Sequence, residues 1–201
     1  MQNFDFIKSD KIKNQIQFVI TIDEMKNILR RNLLADGSRR ENDAEHSWHL
    51  AMMAMILEEY SADKVDIGRV LKIALVHDLV EVYAGDTFAY DTKGYEDKEE
   101  REIQAAEQLF GMLDPAQGAE IRALWDEFEA KSTPEAVYAN AIDRLQPLIL
   151  NYLTDGHTWK MGVHAPQILK RMDIIRTATP ELWHIVEGII STSIKEGILQ
   201  P

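Results

Sequence analysis

The chain has 201 residues, 45% apolar and 28% charged, the proportions of one folded soluble domain spanning 1–201 around one core. Its net charge of −12 argues against a nucleic-acid polymer or an anionic membrane as partner, since both need a basic face, but a small phosphorylated ligand needs only local cations. Cysteine is absent, no stretch of about 18 apolar residues exists to span a bilayer, and Met1–Phe6 lack the regions of a secretory leader, so a cytoplasmic protein without thiolate chemistry is expected.

The apolar residues repeat with helical period almost throughout. Ile12, Ile16, Val19 and Ile20 mark a first helix, with Ser9 or Asp10 as cap. Met25, Ile28 and Leu29 continue that face toward Leu33, and residues 35–42 read as a loop. Asp43 is expected to cap a helix over 44–60, apolar nearly all round and therefore central, with Met52, Met53 and Met55 as core filling. Asp66 caps the helix that carries His77 and Asp78, and Gly85-Asp86 ends it. Residues 87–98 read as a loop, followed by a charged helix with Ile103, Ala106, Leu109 and Phe110 on one side. Asp114-Pro115, Thr133-Pro134 and Thr179-Pro180 each place a cap before a proline at the first helical position. No segment alternates with period two. The expectation is an all-α, single-domain bundle of roughly seven to nine helices.

His77-Asp78 is the feature that carries chemistry. An imidazole and a carboxylate side by side among Leu, Ile and Val are costly to bury without partners, and a divalent ion satisfies both. His46 and Asp143 are further candidates from two other helices. The alternatives are a hydrogen-bonded core histidine and an aspartate paired with arginine. Pro147, four residues after Asp143, frees the Asp143 carbonyl and should bend the helix there. His49 reads as a packing or supporting residue beside His46, and His157, His164 and His184 lack partners at ligand spacing.

The order His46…His77-Asp78…Asp143 resembles the HD superfamily of metal-dependent phosphohydrolases. Glu45-His46-Ser47, His77-Asp78-Leu-Val-Glu81, Gly85-Asp86, residues 124–129, Thr133–Ala136 and Asp143-Arg-Leu145 follow the pattern of its 5′-deoxynucleotidase, HDDC2-like family over roughly residues 25–155. The resemblance implies one divalent metal ion held by His46, His77, Asp78 and Asp143, with Mn, Co, Fe, Ni, Zn or, less well, Mg as the ion. It implies Glu81 as the group that handles the proton of water or of the leaving oxygen. Asp86 matches the family's Gly-Asp, where it serves catalysis or contacts the sugar. Arg31, 15 residues before His46, matches a phosphate-contacting arginine, with Arg39, Arg40 and Lys98 as the other cations able to take that duty. The common assembly implied is a homodimer.

Two positions depart from the pattern. Asn32 stands where relatives often carry Trp, and Asp43 where many carry Val. The expected function is hydrolysis of nucleoside or deoxynucleoside 5′-monophosphates to nucleoside and phosphate. The alternatives are another phosphoester substrate and a non-catalytic nucleotide-sensing module. Val82 after Glu81 breaks the pattern of guanosine-tetraphosphate hydrolases, and Glu96 after Gly94-Tyr95 breaks that of cyclic-dinucleotide hydrolases.

Overall fold

The structure is a computed structural model that describes residues 4–201. Residues 1–3, part of the segment read as lacking a leader, lie outside them. Among the described residues, nine α-helical segments are joined by short 3-10 turns and interrupted once by a two-stranded antiparallel sheet.

Ser9 caps α1 (Asp10–Ile22) through Ile12 N–H. The apolar face does not continue as helix into Leu33. One 3-10 turn, Asp23–Lys26, is followed by β1 (Leu29–Leu33), which pairs with β2 (Arg40–Asn42), so the segments read as helix and loop form a hairpin. The run Leu-Arg-Arg-Asn-Leu has too few apolar residues for a helical stripe, and Gly37 supplies the positive φ of 70° that reverses the chain. The register slips between Leu29 and Leu33, and the Arg40 side chain donates to the carbonyls of Leu29 and Arg30 there. Such a bulge re-aims side chains. Adjacent residues of a regular strand face opposite sides, yet Arg30 and Arg31 both line one cleft.

Asn42, not Asp43, caps α2 (Asp43–Ile56). Its side chain accepts from Glu45 N–H while Glu45 accepts from Asn42 N–H, a reciprocal capping box. The helix is shorter than expected and is followed by a 3-10 turn at Glu58–Tyr60; Met55 at its end is about half exposed rather than core. Asp66 caps α3 (Ile67–Val76) as expected. This helix stops at Val76 instead of running to Gly85. Leu79 N–H and Glu81 N–H bond three residues back, making a tight turn before the single-turn α4 (Glu81–Ala84).

α5 (Lys98–Phe110) buries Ala105, Ala106, Leu109 and Phe110, while Ile103 stays exposed. Asp114 and Thr133 cap α6 (Pro115–Ala130) and α7 (Pro134–Leu153) as their proline grammar predicts. Thr179-Pro180 does not repeat it. A 3-10 turn at Pro180–Leu182 intervenes before α9 (Trp183–Lys195), and the Thr179 hydroxyl donates back to the Ile175 carbonyl at the end of α8 (Ala165–Ala178).

α7 is the central element, packed against α2, α3, α6, α8 and α9, and it runs through Pro147. One core joins Leu50, Ile73, Ile142, Leu145, Ile168, Ile175 and Val186; a second joins Phe18, Val80, Leu109, Phe110 and Trp125. The turn carrying His77 and Asp78 lies between Ala74 of the first and Val80 of the second, which pins it from both sides. No helix among the described residues is long and apolar enough to cross a membrane.

Asn151 ties the C-terminal end of α7 to its surroundings. It accepts from Thr158 N–H at 2.9 Å and from the Thr158 hydroxyl at 2.8 Å, and it donates to the Pro147 carbonyl at 2.9 Å. Asn151→Ala leaves the buried Thr158 N–H and hydroxyl without these partners, so a loss of about 1–3 kcal/mol is expected. Urea unfolding measures it, and a change within error of zero contradicts the assignment.

Candidate active site

Four side chains from three parts of the fold converge where α2, the 77–80 turn and α7 meet. His46 Nε2 lies 3.0 Å from Asp143 Oδ1 and 3.8 Å from Asp78 Oδ2. His77 Nε2 lies 3.1 Å from Asp78 Oδ2 and 3.7 Å from Asp143 Oδ1. An ion bonded to N and O at about 2.0–2.2 Å separates adjacent ligands by roughly 3–3.5 Å. These spacings bracket that range, and His46, His77 and Asp143 form a group able to hold a metal.

The outer nitrogens are fixed in a way that suits ligation. His46 Nδ1 is 3.2 Å from Gln146 Oε1, and His77 Nδ1 is 2.8 Å from the Ala74 carbonyl. An acceptor at each Nδ1 places the proton of the neutral ring there, so that each Nε2 lone pair faces the group once a cation displaces any proton on it. The Gln146 orientation is itself fixed, because its NH₂ donates to Glu41 at 2.6 Å and to His49 Nδ1 at 3.2 Å; reversing the amide would oppose its oxygen to the Glu41 carboxylate. His49 thus supports His46 through Gln146. His77 Nε2 is buried with no hydrogen-bond partner, which a ligand on that nitrogen would supply.

The titration of the group follows its crowding. Burial and then Arg30 keep His46 below its usual pKa, so it is neutral. Burial opposes protonation of His77 as well, but Asp78 and Asp143 outweigh it and raise the imidazole to about 9. Asp78 and Asp143 lie well below the carboxylate range: burial opposes this, and the facing histidines and Arg30 overcome it. The centre is arranged for positive charge.

A second acidic group adjoins the first. Asp43, Asp78 and Glu81 place carboxylate oxygens within 4.8 Å of one another. Glu81 is buried, with one oxygen unpartnered, and burial followed by Asp78 and Asp43 pushes its carboxyl well up. Its position results from the tight turn and α4, not from a continuous helical face.

Arg30 is the cation among these carboxylates. It donates to Asp78 at 2.7 Å, lies 3.5 Å from Asp43 and approaches Glu41 at 4.0 Å. Arg31 makes no such contact. It lies at the exposed rim of a cleft shared with Asp86, Tyr90, Arg144, Trp159 and Arg171. Burial raises the Asp86 carboxyl, partly offset by Arg30 and by Arg31. Asn32 is buried under the cleft against Asn151. The other cations considered for phosphate are engaged: Arg39 with Glu45, Arg40 with strand carbonyls and Lys98 with Glu102.

Of the seven sequence candidates, the structure brings His46, His77, Asp78, Glu81, Asp86 and Asp143 together and leaves Arg31 at the rim; Arg30, Glu41, Asp43 and Gln146 join the group. One signal for these was available. Asn-x-x-Glu at residues 42–45 is a better capping box than any cap at Asp43, which frees Asp43 to face inward. Arg30 carried no signal apart from its neighbour, because its partners Asp43 and Asp78 lie 13 and 48 residues away in the chain.

A sequence model described as the HD domain matches residues 22–183. The chain belongs to this HD-domain family. A Danio rerio protein named 5′-deoxynucleotidase HDDC2 is 32% identical over 137 residues, 68% of this chain and 67% of that protein. The Schizosaccharomyces pombe protein named 5′-deoxynucleotidase hdd1 is 30% identical over 136 residues, 65% of this chain and 67% of its own. The match thus spans about two thirds of these relatives. A crystal structure described as a predicted metal-dependent phosphohydrolase from Magnetospirillum magnetotacticum MS-1 is 46% identical, with a TM-score of 0.91 over 100% of both chains.

Arg30→Met tests the balance of buried charge. It leaves Asp43, Asp78 and Glu41 without their shared cation, which costs about 3–5 kcal/mol when a buried pair is broken. Burial raises Glu41 to about 7 even with Arg30 present, and Asp43 is raised in the same sense. An acid raised on folding loses stability as pH climbs from its unfolded value, about 4, to its folded one. Without Arg30 those folded values rise further, so the deficit of Arg30→Met should grow between pH 5 and pH 8. Urea unfolding of metal-chelated protein at both pH values checks it; a deficit independent of pH contradicts it.

Proposed function

We propose that the protein is a metal-dependent phosphomonoesterase that hydrolyses nucleoside and deoxynucleoside 5′-monophosphates to nucleoside and inorganic phosphate. The observation that carries this reading is the convergence of His46 Nε2, His77 Nε2, Asp78 Oδ2 and Asp143 Oδ1 beside a buried glutamate, joined through Arg30, which donates to Asp78, to a cleft that other cations also line. The names of the 5′-deoxynucleotidase relatives and of the phosphohydrolase structure support it.

His46, His77, Asp78 and Asp143 would hold one divalent ion, and two imidazoles with two carboxylates suit Mn, Co, Fe, Ni or Zn better than Mg. When bound, such an ion polarises a phosphoryl oxygen and acidifies water. Glu81 carries the proton. Burial and then the neighbouring carboxylates Asp78 and Asp43 raise its pKa, which strengthens it as a proton acceptor. It takes a proton from the attacking water as the new P–O bond forms. The ester P–O bond breaks, and the nucleoside oxygen leaves with the proton that Glu81 returns. Arg31 binds phosphoryl oxygens at the rim, and Asp86 orients the sugar. Arg30 holds Asp78 and Asp43 in place.

Phosphate release from a panel of ribo- and deoxynucleoside monophosphates, repeated with each metal, tests the reading; no release with any pair rejects it. His77→Ala and Asp78→Ala should lower metal affinity by orders of magnitude, read by elemental analysis, and full occupancy in both refutes the ligand set. Glu81→Gln should keep the metal and lose about 10²–10⁴-fold in turnover. Loss of metal in step with activity would instead make Glu81 a ligand. Arg31→Ala should cost roughly 10- to 150-fold in kcat/KM, the worth of a charge-assisted contact, and Arg31→Lys should cost less because it keeps the charge but not the fork.

A further inference from the structure

The cleft does not end at Arg31 and Asp86. Arg144, Arg171, Tyr90 and Ala89 line both this cleft and a wider groove, to which Lys131 and Lys170 also belong. Four cations gather there on a chain whose net charge is −12. Asp91, the acidic residue in that lining, is engaged with the N–H groups of Lys93 and Gly94.

Proteins ordinarily pair such cations, and here they are left facing one another. Arg144 Nε is buried with no hydrogen-bond partner, and none of Arg144, Lys170 or Arg171 forms an ion pair among the described residues. Lys131 also holds a left-handed backbone, φ 50°, at the end of α6, a place where glycine costs less. Unpaired like charges and a non-glycine residue at positive φ both destabilise the free protein. Such features persist where a ligand offsets them.

This station is distinct from the inner one. Arg30, Arg31 and Asp86 line only the inner cleft, Lys131 and Lys170 line only the outer groove, and Arg144 and Arg171 line both. One cleft therefore carries two cationic stations, with the aromatic rings of Phe88, Tyr90 and Trp159 on its walls.

We infer that Arg144 and Arg171, with Lys131 and Lys170 at the mouth, form a second phosphate subsite, and that the substrate is a nucleoside 5′-phosphate bearing another phosphate group away from the scissile one. The inference rests on the phosphomonoesterase reading above. Guanidiniums grip phosphate oxygens bidentately, which suits a dianionic group better than a single carboxylate.

Calorimetric titration of adenosine 5′-monophosphate, adenosine 3′,5′-bisphosphate and inorganic phosphate tests it. Glu81→Gln protein and metal-chelated parent protein are both used, so that ligands stay intact. The bisphosphate should bind at least about 10-fold more tightly than the monophosphate, as expected for one charge-assisted contact. Arg144→Gln and Arg171→Gln should each reduce that ratio to about 3-fold or less. Equal binding of the two nucleotides by the parent overturns the inference. Inorganic phosphate binding as tightly as the bisphosphate, in an Arg171-dependent manner, assigns the station to free phosphate and overturns the substrate class. Unliganded Arg171→Gln should melt at or above the parent, because a repulsion is relieved; a marked drop shows a structural role and also overturns it. The bisphosphate preference without any turnover by metal-loaded parent would reject the hydrolase reading while leaving the subsite standing.

Discussion

Five carboxylates, from Glu41, Asp43, Asp78, Glu81 and Asp143, are drawn into one small volume, and Arg30 is the cation that three of them share. Isolated carboxylates are costly to bury, so the fold around them is organised to supply compensating charge and hydrogen bonds. The hairpin brings Arg30 in from one side. The capping box at Asn42 starts α2 so that Asp43 and His46 both face inward. The tight turn after Val76 brings Asp78 and Glu81 to the same place, and α7 delivers Asp143 and Gln146. Each element is required because the carboxylates of the others are there.

The same constraint explains why the histidines are held so firmly. A ligand must present a lone pair, and each imidazole here has its other nitrogen committed to an acceptor, Gln146 or the Ala74 carbonyl. The Gln146 amide is in turn locked by Glu41 and His49. The chain of support runs from α7 through β2 and α2, and it sits between two apolar cores that do not rearrange independently. The buried centre contrasts with the cleft and groove beside it, where Arg31 and Lys131 are exposed. A net charge of −12 with several cations gathered along one cleft suits the small phosphorylated substrate proposed for it better than a polyanion.

The sequence by itself determined the helical class, through period and through the caps at Ser9, Asp66, Asp114 and Thr133. It also marked His77, Asp78 and Asp143, because charged residues inside apolar runs are conspicuous, whereas His46, Glu81, Asp86 and Arg31 were marked by the order of motifs that resembles the HD family. Local rules sufficed for the caps and the buried charges, since both are legible within a few residues. Only the tertiary structure decided that residues 29–42 form a hairpin, because strand pairing draws its stability from a partner ten residues away that helical periodicity does not register. Only it decided that the His-Asp helix breaks at Val76, where the two cores pull on opposite sides of the turn. And only it could show Arg30 among the carboxylates and Arg144 facing Arg171: which charges meet depends on a bulge in β1 and on the packing of α7 against α8, and the Coulomb interaction of residues far apart in sequence exists only once those elements are packed.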